Sequence, residues 1–366
     1  MLEKLEKYME LKRGYDLPSS ERENGKYPVI TSSGIAEFHN KFKVKGAGVV
    51  TGRSGTIGEV FYEERDFWPL NTSLYVKDFK GNNKKFVYYF LKNLDFKHLA
   101  GATAVPSLDR KILHNLRVPF LEINSQDKVV DILSNYDNLI ENNNKRIKLL
   151  ENMAEELYKE WFVRLRFPNY QNSKIVDGIP TGWRWTTIGE SVNNFDSKRK
   201  PISKENREKI KGKYPYYGAS SILDYVNDFI FEGKYLLLGE DGTVITKRGT
   251  PMLQFIEGSF WVSNHAHVLT GKLVSTEYLY LFLNSFSISG YITGTAQPKI
   301  NQENLNSIKI LLPTEEILDK FNKIVIPIFD KIKILQKINQ NLKQTRDILL
   351  PRLISGKLDI EALEIV

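Results

Sequence analysis

The stretch "GATAVPSLDRKILHNLRVPF", Gly101–Phe120, has a counterpart later in the chain, "GTAQPKINQENLNSIKILLP", Gly294–Pro313. Pro106 aligns with Pro298, 192 residues further on, and the apolar residues that follow each proline keep the same spacing. A repeat this long is far beyond the period of a solenoid, so it predicts two domains of one kind.

The match between the two halves extends well beyond these closing segments. The change of offset from 187 to 193 residues along the matched pairs predicts a short insertion, which loops tolerate. Three further pairs match: "GKYPVITSSGIAEF" from Gly25 with "GKYPYYGASSILDY" from Gly212, "GRSGTIG" (Gly52–Gly58) with "GEDGTVI" (Gly239–Ile245), and "FWPLNTSLYV" from Phe67 with "FWVSNHAHVL" from Phe260.

Composition narrows the class of protein. The 366 residues are 41% hydrophobic and include no cysteine, which predicts a sizeable core and excludes disulfides and thiolate sites. The net charge of +8 favours an anionic partner such as nucleic acid. The sequence has no apolar run of the length that crosses a bilayer, and its N-terminus is charged, so we expect a cytoplasmic protein with no membrane partner.

Each half contains two kinds of sequence pattern. Short apolar runs separated by Gly, Asn and Asp predict strands and turns. A long segment without Pro or Gly follows, from Ser125 to about Phe167, and a second runs from Pro313 to about Leu350. Both predict helices, and Pro327 is expected to kink the second helix or to start it afresh.

Apolar residues in these two helices recur in steps of three and four, which predicts a coiled-coil seam. Asn143, Asn339 and Arg346 fall on or beside this seam, where polar residues set the register. Burial of the helices in a globular core remains the alternative. The predicted helix-pairing residues are Ile132, Tyr136, Ile140, Ile147, Leu150, Leu157, Val325, Ile328, Ile332, Leu335, Leu342 and Leu349.

The sequence shows no catalytic constellation. "GRSGTIG" could cradle a phosphate, but it lacks the lysine and the following helix signal of a P-loop. A turn or DNA-facing loop is the other interpretation. His265 and His267 could ligate a metal, although no third ligand is nearby and the first half has no counterpart. We therefore expect no catalytic, cofactor or metal site in this chain.

The order of these motifs, which occurs twice, resembles the specificity subunit of a type I restriction–modification system. The resemblance covers essentially the full length. The segments that carry it, besides the closing segment and "GRSGTIG", are "LKRGYDLPSSERENGKYPVITSSG" (Leu11–Gly34), "ENNNKRIKLLENMAEELYKEWFVRLRF" (Glu141–Phe167), "GIPTGWRWTTIGE" (Gly178–Glu190) and "TRDILLPRLISGKLDI" (Thr345–Ile360).

The resemblance implies an α+β fold with two similar target-recognition domains and internal pseudo-two-fold symmetry. Two long antiparallel helices would form a coiled coil between the domains and set the spacing of a split, asymmetric DNA target. The subunit is expected to be non-catalytic and to bind double-stranded DNA, two methylation subunits and two restriction/translocase subunits. S-adenosylmethionine, ATP and magnesium would belong to those partners.

The sequence departs from the repeated plan at one place. The first half has no counterpart of the tryptophans in "GWRWTTIGE", which predicts a simpler or truncated opening strand. The resemblance also implies a domain order. We expect a first recognition domain at 1–122, a central helix at 123–167, a linker at 168–182, a second recognition domain at 183–313, a C-terminal helix at 314–356 and a tail at 357–366.

Candidate DNA contacts are basic, amide, hydroxyl and tyrosine side chains in the matched loops. Such groups bind base edges and phosphates. For each one, a solvated surface position or a turn residue is the alternative. The candidates in the first half are Lys12, Arg13, Tyr15, Ser32, Ser33, Arg53, Ser54, Thr56, Thr103 and Ser107. Those in the second half are Lys198, Arg199, Lys200, Tyr216, Tyr217, Ser220, Ser221, Lys247, Arg248, Gln297 and Lys299.

Two other classes of protein compete with DNA recognition. A duplicated, non-catalytic scaffold that binds protein would show the same repeats and helices. A fused methyltransferase would need cofactor and catalytic motifs that the sequence lacks.

Overall fold

The structure, a computed structural model, describes residues 2–99, 107–294 and 297–358. Candidate Thr103 and most of the expected tail lie outside the described residues. Contacts divide the chain into two units, Met1–Asn143 with Lys337–Val366, and Asn144–Gln336. Both divisions fall inside a long helix, so each unit contains a sheet-rich part and a stretch of both long helices.

The first unit contains short strands and three short helices ahead of the first long helix. Its strands are β1 (Glu3–Lys4), β2 (Glu10–Arg13), β3 (Tyr27–Thr31), β4 (Gly34–His39), β5 (Gly48–Gly52), β6 (Val60–Glu63), β7 (Trp68–Pro69), β8 (Ser73–Asp78) and β9 (Arg117–Val118). Its helices are α1 (Lys84–Lys92), α2 (Phe96–Leu99), α3 (Arg110–Asn115) and the start of α4 (Ile123–Tyr158).

The second unit follows the same plan with longer strands. Its strands are β10 (Ile175–Val176), β11 (Ile179–Pro180), β12 (Arg184–Thr187), β13 (Val192–Asn194), β14 (Lys211–Tyr217), β15 (Ile222–Val226), β16 (Phe231–Gly239), β17 (Leu253–Val262), β18 (Ala266–Gly271) and β19 (Lys309–Leu312). Its helices are α5 (Ile188–Ser191), α6 (Lys204–Lys209), α7 (Thr276–Ser285), α8 (Gln302–Ser307) and the start of α9 (Glu315–Ile354).

The two units share one strand order. The first has sheets ordered β2-β8-β5-β6 and β4-β3-β7, and the second has β13-β18-β16-β17-β14-β15 in one sheet. Strand β17 occupies the places of both β6 and β7, because its first part pairs with β16 and its end runs parallel to β14. The duplication seen in the sequence is therefore a duplication of topology.

The register of matched strand pairs agrees residue by residue. Val29 pairs with Trp68 in the first unit, and Tyr216 pairs with Trp261 at the matched positions of the second. The β3–β4 and β14–β15 hairpins also have a bulge at the same place, after Val29 and after Tyr216. Such irregularities are specific features of a fold, so their repetition is strong support for a common origin.

The predicted insertion lies in the turn after the glycine loop. Gly52 N–H donates to Glu59 O in the first unit, and Gly239 N–H donates to Met252 O in the second. The second turn is longer by six residues, which accounts for the change of offset from 187 to 193. The opening strand differs as predicted, since β1 has two residues and β12 has four.

Each unit has one main apolar core, to which both the short and the long helices contribute. Asn83 caps α1 and Ser275 caps α7, each accepting hydrogen bonds from backbone N–H groups of the first turn. These caps direct Phe86 and Phe90, or Tyr278 and Phe282 in the second unit, into the cores.

The long helices α4 and α9 have 36 and 40 residues, or lengths of about 54 and 60 Å at 1.5 Å per residue. Helix α9 continues through Pro327, so the expectation of a fresh start there was wrong. Pro327 is exposed, and the carbonyl that its ring leaves without an intrahelical donor can bond to water.

All twelve predicted helix-pairing residues are buried or half-buried. The helix ends join the domain cores, with Leu133 and Leu353 in the first unit, and Tyr158 and Phe321 in the second. The ends of both long helices are therefore buried in apolar cores, as the alternative interpretation expected, and the coiled coil stays a prediction. Within the first unit the helices contact each other in antiparallel order, since Asp137 pairs with Arg346 at 2.5 Å and Asn143 bonds to Asn339.

Among the residues described, no helix combines the length and the apolar character that a membrane span requires.

Asn143 and Asn339 form a buried amide pair in the first unit. Asn143 Nδ2 donates to Asn339 Oδ1 at 2.9 Å, and both side chains are less than 8% exposed. We expect Asn339→Leu to lower the free energy of unfolding by about 1–3 kcal/mol, because it leaves the amide of Asn143 without its partner. Urea denaturation of the full chain measures this change.

The double variant Asn143→Leu/Asn339→Leu should recover most of that loss, because no unpaired amide remains. Asn142→Ala, on the exposed face of α4, is the control and should change stability by less than about 0.5 kcal/mol. If Asn339→Leu behaves like this control, the amide pair does not stabilise the helices.

Candidate nucleic-acid interface

In the first unit the glycine loop after β5 lies against the segment that follows Pro106. Ser54 and Ser107 form a β-bridge, and Leu108 N–H donates to Arg53 O at 2.8 Å. The N–H groups of Arg53 and Ser54 both donate to Thr72 O. We call this contact between the glycine loop and the closing segment the crossing. It brings candidates Arg53 and Ser54 of the loop next to candidate Ser107 of the closing segment.

Glycine is required at the base of this loop. A Cβ on Gly52 would lie 1.9 Å from Thr56 O and 2.9 Å from Ser32 O, both backbone atoms. The close approach also brings the β3–β4 turn, with candidates Ser32 and Ser33, to the loop. Ser33 is exposed at the tip of that turn, whereas Ser32 is only 9% exposed and supports the loop from beneath.

Strand β2 contributes a basic and aromatic surface. Lys12 Nζ lies 5.4 Å from the ring centre of Tyr15, and Lys43 Nζ lies 5.6 Å from the same ring and 4.9 Å from Trp68. The hydrogen bond with Tyr75, together with the charges of Lys12 and Lys43, lowers the pKa of the Tyr15 hydroxyl. The sequence analysis missed Lys43, whose only signal was the alternating lysines at 41, 43 and 45.

The second unit repeats the crossing at the matched positions. Asp241 and Lys299 form the bridge, Ile300 N–H donates to Glu240 O at 2.9 Å, and Gly242 N–H donates to Pro298 O. Candidates Gln297 and Lys299 are exposed beside it. The frame is the same in both units, but the side chains that it carries differ in charge.

A network of half-buried charges around the buried His267 supports the crossing in the second unit. Arg199 Nη1 donates to Glu240 Oε2 at 2.6 Å and to Ala266 O at 2.8 Å, and its Nε donates to Asp196 O. Lys299 Nζ lies 3.4 Å from the other oxygen of Glu240. Arg199 is therefore a structural clamp, and its guanidinium is not available to a duplex, contrary to the sequence-based assignment.

His267 is the centre of the network. Its side chain is fully buried, with Nδ1 2.6 Å from Asp196 Oδ2 and Nε2 2.9 Å from Ile300 O. A carbonyl oxygen only accepts, so Nε2 carries a proton, and the carboxylate holds a second proton on Nδ1. Burial favours the neutral ring, but the hydrogen bond and charge of Asp196 outweigh it and raise the pKa of His267.

The pKa of the Asp196 carboxyl shifts in the opposite direction. Burial alone would raise it, but the hydrogen bond and charge of His267 outweigh burial and lower it. Val268 N–H also donates to Asp196 Oδ1 at 2.8 Å. The pair is therefore a buried ion pair, an aspartate with an imidazolium.

The metal hypothesis for the His-Ala-His pair is not supported by this geometry. Ligand atoms of Asp196, Glu240 and His267 lie within 4.8 Å of one another. However, both ring nitrogens of His267 donate hydrogen bonds, and Arg199 already neutralises the carboxylates. His265 bonds separately to Asp241 through Nδ1 at 2.6 Å. The donor set fits an ion-pair network better than a cation site.

The structure removes one more candidate, Tyr216, and places two others outside the matched loops. Tyr216 is 1% exposed and its hydroxyl accepts from Ile202 N–H, so its side chain belongs to the interior. Lys247 and Arg248 are exposed in the six-residue insertion, where Gly249 O accepts from Ile288 N–H. They therefore have no counterpart in the first unit and lie on a separate turn.

"GRSGTIG" does not have the geometry of a phosphate cradle of the P-loop kind. It connects the antiparallel strands β5 and β6, and no helix starts at its end. The remaining candidates are exposed or half-exposed, which keeps them as possible contacts: Lys12, Arg13, Tyr15, Ser33, Arg53, Ser54, Thr56, Ser107, Lys198, Lys200, Tyr217, Ser220, Ser221, Lys247, Arg248, Gln297 and Lys299.

The structure divides the run Lys198–Lys200 into residues with different roles. We expect Arg199→Ala to lower the free energy of unfolding by about 1.5–3 kcal/mol, because it removes the charge-assisted hydrogen bonds to Glu240 and Ala266 and leaves Lys299 as the remaining cation of Glu240. Lys200 is exposed, so Lys200→Ala is the matched control and should cost less than about 0.5 kcal/mol. Equal unfolding midpoints for the two variants in urea would contradict the clamp.

Comparisons with known proteins agree with this architecture. A family model described as the type I restriction modification DNA specificity domain matches residues 4–152 and 180–344. The type I restriction enzyme MjaIX specificity subunit of Methanocaldococcus jannaschii is 26% identical over 367 residues, covering 91% of this chain and 82% of that protein. The MjaVIII specificity subunit of the same organism is 23% identical over 333 residues, covering 84% and 77%.

A solved structure shows the same fold. The crystal structure of the type I restriction–modification system S subunit from M. genitalium superposes with a TM-score of 0.64 at 20% identity, covering 97% of this chain and 96% of that one. Since the family model matches well over half of the chain, in both repeats, this protein belongs to the family of type I restriction–modification DNA specificity subunits, which are non-catalytic.

Proposed function

We propose that the chain reads a split, asymmetric double-stranded DNA target, with one half-site contacted by each unit. The observation that carries this proposal is the repeated crossing with unlike side chains. Arg53 occupies the position that Glu240 has in the second unit. Leu74 and His267 are also matched positions: Arg13 is the strand partner of Leu74 in the first unit, whereas Asp196 contacts His267 in the second. One frame with two chemistries suits two different DNA sequences.

The chemistry of these side chains matches base edges. An arginine such as Arg53 donates to the O6 and N7 acceptors of guanine, while an exposed amide such as Gln297 can pair with N6 and N7 of adenine. Exposed or half-exposed lysines near each crossing, such as Lys12, Lys43 and Lys299, can bind phosphates and fix the orientation of the duplex. The recognition domains in this proposal are residues 1–122 and 183–313.

We infer that the long helices pair as an antiparallel coiled coil and act as the spacer between half-sites. Support comes from the buried Asn143–Asn339 pair, the Asp137–Arg346 ion pair and the continuous length of both helices. A duplicated unit at each end of such a spacer would give pseudo-two-fold symmetry, with the central helix at 123–167, the linker at 168–182 and the C-terminal helix at 314–356.

The same proposal includes partners in the cytoplasm, namely two methylation and two restriction/translocase subunits, which would bring S-adenosylmethionine, ATP and magnesium.

The outer faces of the long helices are the proposed docking surface. Large apolar side chains that the seam does not use are exposed there, namely Leu139, Ile338 and Ile348 in the first unit, and Leu149, Met153, Ile324 and Ile334 in the second.

Methylation mapping of host DNA with and without this gene tests the function directly. A methylated motif that has two short parts separated by unspecified bases, and that disappears with the gene, is the expected result. An unchanged methylation pattern would contradict the assignment to target recognition.

The modular part of the proposal predicts separate control of sequence and spacing. Replacing residues 1–122 with those of a relative should change one half-site only. Inserting one heptad in each long helix preserves the seam, adds about 10 Å of helix, and should lengthen the gap by about three base pairs. Methylation mapping of each variant is the measurement, and a change of both half-sites after the exchange would show that the units do not read independently.

The salt dependence of binding separates DNA recognition from the scaffold alternative. Each lysine or arginine that neutralises a phosphate steepens the fall of affinity with salt, so Lys43→Ala should reduce the slope of log K against log salt by about one. Titration of the complex with labelled duplex at several salt concentrations measures this slope. A scaffold that binds only protein would show no specific DNA affinity at any salt concentration.

A further inference from the structure

The second unit has a buried ionisable residue at a position where the first unit has an apolar one. At the position of His267 the first unit has Leu74, which is also buried. Both residues lie on the matched strands β18 and β8, next to the crossing. The β-bridge and the bond from the closing segment to the glycine loop form in both units, so the histidine is an addition to a frame that can form without it.

The bonds of His267 connect separate segments at one point. Nδ1 contacts Asp196 in the turn after β13, and Nε2 contacts the carbonyl of Ile300 in the closing segment. The N–H of Ile300 donates in turn to Glu240 O in the glycine loop. The ring therefore holds the closing segment, and through it the loop that carries Asp241, against the rest of the sheet.

Protonation of the His267 ring gives the Asp196 carboxylate its nearest cation, at 2.6 Å. The groups that face it are Asp196 from the turn after β13, Glu240 from the glycine loop at 3.9 Å, and the cations Arg199 and Lys299 that pair with Glu240. His265, on the same strand, pairs with Asp241 instead. A neutral His267 would leave the Asp196 carboxylate buried beside Glu240 without its nearest cation, which costs free energy.

We propose that His267 is a positioning residue for the second unit alone, and that its imidazolium holds the closing segment and the glycine loop in the arrangement that reads the second half-site. The inference rests on the proposed function. It assigns to one half-site a dependence on pH that the other half-site does not share.

The direction of this dependence follows from the pKa shifts. The pKa of His267 is raised, so the network is complete at pH values below that raised pKa and is lost as pH rises through it. The pKa of Asp196 is lowered, so the opposite limit is reached only when pH falls below the ordinary range of an aspartic acid. The second half-site should therefore be read best on the acid side of the His267 titration.

The test uses the complex of this chain with its methylation subunits. Methylation mapping first identifies both half-sites. Labelled duplexes then carry the whole site, or the site with one half randomised, and their dissociation constants are measured from about pH 6 to about pH 9. The ratio of constants for the whole and the half-randomised duplexes reports how well each half is read.

For the wild-type complex, the ratio for the second half-site should fall as pH rises while that for the first stays level. His267→Leu, which introduces the residue of the first unit, should reduce the second ratio by about tenfold and flatten its pH profile. His267→Gln can still donate to Ile300 O but does not titrate, so the second half-site should be read with no pH dependence. His98→Leu removes an exposed histidine and is the control that should match wild type.

Each outcome decides between defined alternatives. If His267→Gln keeps the wild-type pH profile, or if His267→Leu weakens both half-sites equally while the complex stays folded, the positioning role is wrong. If His267→Leu does not fold, His267→Gln and Asp196→Asn, which removes the anion instead, decide on the same ratios. If the wild-type complex methylates no split motif, the proposed function itself fails.

Discussion

One backbone hydrogen bond joins the glycine loop to the closing segment in each unit, from Leu108 N–H to Arg53 O in the first and from Ile300 N–H to Glu240 O in the second. Because both donor and acceptor are main-chain atoms, this bond does not depend on the side chains at these positions. Gly52 and Gly239 permit the close approach that it needs. The glycine loop and the closing segment are held together by this contact, while the strands on either side are held by their own ladders.

The sequence analysis was most accurate where structure depends on local pattern. The two glycine loops were matched by their spacing, and so were the two proline-bearing segments. Within each unit, the structure places the glycine loop in contact with the segment that follows the proline. The helix-pairing residues followed from a period of three and four, and all of them are buried or half-buried. Burial along a helix repeats with the helix itself, so the order of residues contains that information.

The assignments that failed concern side chains whose environment is set by distant partners. Arg199 lies in a run of three basic residues, yet it bonds to Glu240 and Ala266, which are 41 and 67 residues away. Tyr216 sits in a strand whose neighbours bury it completely. Lys43 was overlooked because the rings of Tyr15 and Trp68 reach it only after folding. None of these contacts leaves a periodic trace in the sequence.

The residues beneath the two crossings differ, with the apolar Leu74 in the first unit and a charge network around His267 in the second. This difference determines which substitutions each unit can accept. In the first unit the positions around Arg53 and Ser54 can vary one at a time, because main-chain bonds and an apolar Leu74 maintain the frame beneath them. In the second unit a change at Asp196, Arg199 or Glu240 strands an opposite charge in the interior, so innovation there requires several substitutions together. The second unit should consequently tolerate fewer single substitutions at these positions than the first unit does.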